Sequence, residues 1–224
     1  MRNVLILGGR DIYYDGVVDQ LFEDDVFICA DHGADHARAM QLIPSVIVGD
    51  LDSILPDTLY WAKTLGIKIQ QFPTEKDMTD SEIALSMLNP IEPILVVLSL
   101  SGRIDHVLSN FLVAGRMAEK GADILMTDGK TTVKIISGPA QYHIDRAIFR
   151  KHELEGNPLI VSMIPLFGIV QSVTTSGLYY ALNKHDLSCG SSFSVSNKAI
   201  SPEEEIVVEF MSGVMAITAT IEPD

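Results

Sequence analysis

Four short acidic clusters hold the residues of this 224-residue chain best suited to chemistry. They are Ala30-Asp31-His32-Gly33, Gly49-Asp50-Leu51-Asp52-Ser53, Lys76-Asp77-Met78-Thr79-Asp80 and Gly102-Arg103-Ile104-Asp105-His106. Each falls where an apolar, strand-like run gives way to a loop. In an open α/β sheet the carboxyl ends of successive strands converge on one crevice. Converging carboxylates repel one another unless a cation lies between them, and a hard divalent ion carrying phosphate meets that need with oxygen ligands. Four such junctions in one α/β domain point to a Mg²⁺–polyphosphate site.

Taken singly, each cluster also has a structural explanation. Asp50 and Asp52 share a face if their segment is extended, and Gly49 lets a backbone or a phosphate come close. The same residues suit a turn in which Asp52 or Ser53 caps a helix opening near Pro56. Asp77 and Asp80 are three apart, so one helical turn brings both to one side. Helix entry explains Thr79, Asp80 and Glu82, because Thr79-Asp80-Ser81-Glu82 has the form of a capping box. It leaves Lys76-Asp77 unexplained. Asp105 suits the start of a helix, but Arg103 just before it sets a guanidinium beside open backbone N–H groups, an anion site.

Other catalytic signatures are missing. There is no P-loop, no G-x-G-x-x-G, no G-x-S-x-G elbow and no C-x-x-C. Lys151-His152-Glu153 begins like a zincin motif, but Gly156 stands where the second His belongs. His32 and His36 could share a helix face as zinc ligands, yet no third ligand has matching spacing. They read more simply as polar residues at the crevice edge.

The elements that must position these clusters follow from hydrophobic patterning. Val4–Leu7, Val26–Ala30, Val46–Val48, Ile67–Phe72, Ile94–Leu100 and Ile124–Met126 read as strands. They lack two-residue alternation, as strands buried on both faces do. Helix-length segments lie between them, at about 13–24, 34–42, 56–65, 80–89 and 105–120. This alternation predicts an N-terminal three-layer α/β domain over residues 1–128, a mostly parallel sheet with helices on both faces. From residue 129 the texture changes to strands separated by Gly, Ser, Asn and Pro: Thr131–Ile136, Leu159–Pro165, Ile169–Thr175, Ser192–Val195, Ile206–Phe210 and Val214–Ile221. Met211-Ser212-Gly213 suits a hairpin turn, and no helical period is seen after residue 155. Residues 129–224 are thus expected to form an all-β sandwich, jelly-roll-like.

Composition narrows the partners. Thirty acidic residues against sixteen Lys and Arg work against nucleic acid or an anionic lipid surface, though not against a nucleotide held through metal. No apolar run reaches the roughly 18–20 residues of a membrane span. Val4 to Leu7 is too short for a signal peptide, and the two cysteines do not suggest a disulfide, so a cytoplasmic address is expected.

In order and wording the clusters resemble the thiamine pyrophosphokinase (thiamine diphosphokinase) family. The matching stretches are Ala30-Asp31-His32-Gly33-Ala34, Gly49-Asp50-Leu51-Asp52-Ser53, Lys76 to Asp80 continuing to Ala84-Leu85, Gly102 to His106 with Asn110, Gly177-Leu178-Tyr179-Tyr180-Ala181-Leu182, and Ser196-Asn197. The resemblance spans nearly the whole chain. It implies a catalytic α/β domain, a thiamine-binding β-sandwich, and a homodimer with its active sites at the subunit interface. It also implies transfer of pyrophosphate from the co-substrate ATP to the hydroxyl of thiamine, giving thiamine diphosphate and AMP. Alternatives are a non-catalytic thiamine or thiamine diphosphate-binding module and a pyrophosphokinase for another small primary alcohol.

Charge then assigns expected roles, because such a transfer is chiefly positioning and neutralisation. Asp50, Asp52 and Asp77 are expected to hold Mg²⁺, and Arg103 to pair with phosphate oxygens. Asp80 and Asp105 are expected to position the nucleophile or other ligands. By resemblance, Asp31, Gly33, Ser53, Lys76, Thr79, His106 and Asn110 belong to the nucleotide site, and Ser196 and Asn197 to thiamine. His32 replaces a usual Gly, Asp35 stands where Asn is common, Ser101 precedes Gly102 where a second Gly is frequent, and Lys198 replaces an acid. Animal members place a Trp beyond the Ser-Asn stretch to stack on thiamine. The single tryptophan here, Trp61, falls in the other domain, leaving a carboxylate or Tyr180 to face the thiazolium cation.

Overall fold

The structure is a computed structural model that describes residues 1–73 and 77–221. It divides into two units, Met1–Ala114 with Ala122–Gly129, and Gly115–Gly121 with Lys130–Asp224.

The first unit alternates strand and helix: β1 (Asn3–Ile6), α1 (Tyr14–Val18), β2 (Val26–Ala30), α2 (Gly33–Ala39), β3 (Val46–Gly49), α3 (Pro56–Thr64), β4 (Lys68–Gln71), α4 (Asp80–Ser86), β5 (Ile94–Val97), α5 (Ile104–Ala118) and β6 (Ile124–Thr127). The strands lie in the order β4-β3-β2-β1-β5-β6, and every pairing is parallel. Every residue of β1 and β5 is buried, which explains the missing alternation. Edge strand β4 carries Lys68, Gln70 and Gln71, the polar dress of an unpaired side. The chain steps outward from β1 through β2 and β3 to β4, then returns to the other side of β1 with β5. The order therefore reverses between β1 and β5, where such sheets open a crevice at their carboxyl ends.

Two elements are shorter than patterning predicts. The helix expected over 13–24 stops at Val18. Asp25 takes the Phe22 N–H at 2.8 Å and the Arg2 guanidinium at 2.6 Å, which turns the chain directly into β2. The strand expected to reach Leu100 stops at Val97, because the Ser99 hydroxyl binds Ser101 and folds the chain outward.

The second unit contains β7 (Thr131–Ser137), β8 (Ala140–His143), α6 (Arg150–Leu154), β9 (Leu159–Ser176), β10 (His185–Ser188), β11 (Asn197–Lys198), β12 (Val207–Phe210) and β13 (Ser212–Ile221). All its pairings are antiparallel, in the order β7-β13-β9-β12-β8, with β10 and β11 also on β9. Its core gathers Phe149, Val161, Met163, Val208, Phe210, Met215 and Ile217.

Three expectations are corrected here. Leu159–Pro165 and Ile169–Thr175 are one bent strand, β9. Met211-Ser212-Gly213 is not a hairpin turn, because β12 and β13 both pair with β9 and not with each other. The Met211 N–H still reaches the Gln171 carbonyl at 3.0 Å, so 207–221 is one ribbon along β9. Register shifts at Ser212/Val214 and Val214/Met215 put extra residues into β9 and bend the pair. Ser192–Val195 is turn rather than strand. Its Ser194 hydroxyl bonds the Met163 carbonyl at 2.6 Å, a local bond that competes with ladder formation.

Candidate active site

A crevice of about 830 Å³ opens in the first unit at the carboxyl ends of β1 and β5. The turn after β1 supplies Gly8, Gly9, Arg10 and Asp11, and β2 runs out into Asp31 and His32. The loop after β3 adds Ser53, the start of α4 adds Thr79 and Asp80, and the β5–α5 segment adds Ser99, Ser101, Arg103, His106 and Asn110. Three of the four acidic clusters thus send side chains into one hollow, and the second reaches it through Ser53. The Gly8–Asp11 turn and the Ser99–Ser101 turn carry no acidic motif and went unread in the sequence. Their signal is positional: they follow the two strands at the reversal.

Local chemistry fixes the walls. The Asp31 carboxylate accepts the Leu51 N–H at 3.2 Å, and a Cβ on Gly49 would overlap that carboxylate. The close approach that Gly49 permits is therefore to Asp31. Thr79 caps α4, accepting the Glu82 N–H at 3.2 Å, as the capping pattern predicts. Ser101 bonds Asp11 and ties the two unread turns together. His36, buried in α2, donates from Nε2 to the Gly9 carbonyl at 3.0 Å and accepts the Tyr14 hydroxyl on Nδ1 at 2.8 Å. A carbonyl can only accept, which sets the tautomer. Burial pushes the His36 imidazole below its ordinary range, and the same burial raises the Tyr14 phenol.

Other expected residues lie off this hollow. Gly33 does not line the crevice; a Cβ there would stand 2.0 Å from the Ile6 carbonyl oxygen, so its bareness lets α2 pack on β1. Asp105 is exposed at the rim and grips Arg103 at 3.2 and 2.5 Å. The Arg103 guanidinium holds the Asp105 carboxyl below its usual range, and Asp105 raises Arg103 in turn. Asp50 accepts the Asp52 N–H at 3.2 Å, a turn-forming bond, while Asp52 and Asp77 are exposed. Among the described residues no three Asp, Glu, His or Cys side chains stand close enough to cage a metal ion. Asp50, Asp52 and Asp77 are not a preformed cage. Lys76 lies outside the described residues.

The zinc fragments resolve structurally. His32 and His36 do meet, ring centroids 4.9 Å apart, but both His36 nitrogens are engaged. Glu153 of the zincin-like run is buried and paired with Arg146.

In the second unit, Tyr180, Ser196 and Asn197 come together. The Tyr179 N–H bonds the Lys198 carbonyl at 2.8 Å, and Leu178 bridges Ala199. Asn197 is 5% exposed. Its Oδ1 accepts the Tyr180 and Lys198 N–H groups at 3.0 and 2.9 Å, and its Nδ2 donates to the Tyr180 carbonyl at 2.8 Å. The amide expected to meet thiamine is thus largely spent on main chain. Tyr179 and Tyr180 are exposed and meet edge to face at 4.9 Å. Trp61 packs on the core of the first unit.

A parallel sheet whose polar crevice opens where its strand order reverses defines an α/β protein that takes its ligand at a switch point. Comparisons with known proteins narrow that class. Residues 18–126 match the family model "Thiamin pyrophosphokinase, catalytic domain", and residues 151–215 match "Thiamin pyrophosphokinase, vitamin B1 binding domain". The chain is 29% identical over 208 residues to thiamine pyrophosphokinase 1 of Oryza sativa subsp. japonica, covering 89% of this chain and 71% of that protein. It is 24% identical over 198 residues to the thiamine pyrophosphokinase of Bacillus subtilis (strain 168), covering 88% of each. The crystal structure of thiamine pyrophosphokinase from Bacillus subtilis superposes with a TM-score of 0.83 at 22% identity, over 100% of both chains, which is likeness of fold. The chain belongs to the thiamine pyrophosphokinase family, and it is an enzyme.

Proposed function

We propose that the chain transfers the pyrophosphoryl group of ATP to the hydroxyl of thiamine, releasing AMP, with the nucleotide in the switch-point crevice. The observation that carries this reading is the meeting of Asp31, Asp80, Arg103, His106 and Asn110 in one hollow of a family catalytic domain. The β-phosphorus must be attacked in line with the departing AMP oxygen, so the work is positioning and charge neutralisation. Arg103 supplies the guanidinium for phosphate oxygens, exchanging its exposed Asp105 partner for the nucleotide. Asp80, on the first turn of α4, faces the same space and orients the reacting groups.

The donor set suits Mg²⁺. Mg²⁺ is usually held by one or two carboxylates together with substrate phosphates rather than by an all-protein cage. The hard carboxylate oxygens of half-buried Asp50 and exposed Asp52 and Asp77 fit that pattern. Asp50, Asp52 and Asp77 are the residues that would hold it, and bound there it would neutralise the triphosphate. The exposed Tyr179–Tyr180 pair offers aromatic faces for the thiazolium cation, with Asn197 positioning Tyr180 and Ser196 beside it.

We also propose a homodimer with active sites at the subunit interface and a cytoplasmic address. Ile104, Leu108 and Leu112 form an exposed apolar stripe at four-residue spacing on α5, which supports an oligomer. Among the described residues no helix is long and apolar enough to cross a membrane. The test is AMP and thiamine diphosphate formation from ATP plus thiamine, with and without Mg²⁺. Stoichiometric products that need both thiamine and the metal are expected; AMP formed equally without thiamine would overturn the reading.

A further inference from the structure

His32 faces the crevice and is fastened from behind. Its Nδ1 stands 3.0 Å from Asp35 Oδ2 and 3.4 Å from the Ser53 carbonyl oxygen. A carboxylate and a carbonyl only accept hydrogen bonds, so Nδ1 is the nitrogen that carries the proton. The side chain of Asp35 is 9% exposed, and the oxygen that meets His32 also takes the Leu55 N–H at 3.3 Å. Its other oxygen, Oδ1, is buried without a hydrogen-bond partner. A buried carboxylate with one unmatched oxygen is costly, and such a group calls for an explanation. What Asp35 does here is hold one ring in one tautomer. His36 packs edge-on against that ring and has both of its own nitrogens in use.

With Nδ1 committed, the neutral His32 ring has one polar atom left for a ligand, and that atom, Nε2, is an acceptor. We infer that His32 Nε2 accepts a hydrogen bond from the nucleoside half of the bound nucleotide, from a ribose hydroxyl or an exocyclic base amine. His32 is thereby a specificity-determining residue. The inference rests on the nucleotide occupying this crevice, as proposed above. An ionised triphosphate carries no donor, so it is not the partner of an acceptor. Arg103 on the same crevice offers the donors that phosphates need.

The experiment is a substrate-by-variant cycle at one fixed pH. The kcat/KM for AMP formation is measured with ATP, 2′-deoxy-ATP, 3′-deoxy-ATP and purine riboside triphosphate, which lacks the 6-amine. The wild type should prefer ATP over one of the three analogues by about fivefold, the worth of one hydrogen bond. That analogue identifies the donor. In His32→Gly, and in His32→Phe, which keeps a ring but no acceptor, that preference should fall to about one while the other ratios stay put. Asp35→Asn unlocks the tautomer and should leave a preference of about twofold. Melting curves establish that each variant is folded. An ATP preference of equal size with and without the His32 ring would overturn the inference while the crevice kept its nucleotide. A wild type that forms no AMP from ATP would overturn both.

Discussion

Asp52 and Arg103 in the first unit are exposed on loops, whereas Asn197 in the second is buried with its amide spent on the main chain of Tyr180. All three sit in motifs of the same family pattern, yet they are held in opposite ways. A rigid parallel sheet can present reacting side chains from exposed loops, because its strand ends already place those loops. A ladder of short, irregular β segments has no such frame, and it uses a motif side chain to make one. Motif membership therefore does not separate a residue that meets substrate from one that holds such a residue still. Burial and hydrogen-bond partners do.

The largest expected effect tests the open half of this contrast. Arg103→Ala and Asp52→Asn should each lower turnover by about 10²–10³-fold, the usual cost of losing one charge-stabilising group. Both residues are exposed, so melting temperatures should stay within roughly 2 °C of the wild type. Near-normal AMP production by Asp52→Asn would remove it from the metal and phosphate machinery. A large loss of stability in either variant would erase the contrast itself.

Asn197→Ala tests the buried half. It strands the Tyr180 N–H and carbonyl and the Lys198 N–H, at a cost of about 2–3 kcal/mol. The melting temperature should drop by roughly 4–10 °C and the KM for thiamine should rise, with the KM for ATP unchanged. A variant that melts like the wild type and loses only kcat would make Asn197 a direct ligand.

The sequence shows both regions, to different depths. The first unit's strands are legible because Val, Ile and Leu runs such as those of β1 and β5 are buried on both faces and end in Gly, Ser or Asp. The crevice follows from those ends, although the Gly8–Asp11 turn becomes part of it only once the strand order is known. Hydrophobic runs say where strands are and not which ones are neighbours. In the second unit that limit is severe. One bent strand reads as two because Pro165 and Gly168 interrupt its pattern, and β8, β10 and β11 are too short and polar to stand out. Gly33 and Asn197 carry the family's letters but act on their own backbone, a distinction that only packing reveals.

The smallest effect asks whether the first unit has a brace of the Asn197 kind, and His36 is the residue to test. Its Nε2–H holds the Gly9 carbonyl whether or not the ring is charged, whereas Nδ1 can accept from Tyr14 only while the ring is neutral. Burial lowers its pKa, His32 lowers it further, and the Gly9 bond and Asp35 oppose the shift without reversing it. The sign follows from linkage. The unfolded chain takes up the proton near pH 6.5 and the folded chain only at lower pH. The stability this group contributes is therefore complete above about pH 6.5 and is lost as pH falls through the folded value. Between pH 7 and 5 the wild type should lose more stability than His36→Gln, which has no proton to gain. Over the same interval Tyr14→Phe, which removes the one bond that needs the neutral ring, should lose stability less steeply than the wild type. Parallel acid melts for wild type and His36→Gln would mean that neither burial nor the Tyr14 bond ties the ring to its neutral form, and His36 would then not be a brace of the Asn197 kind.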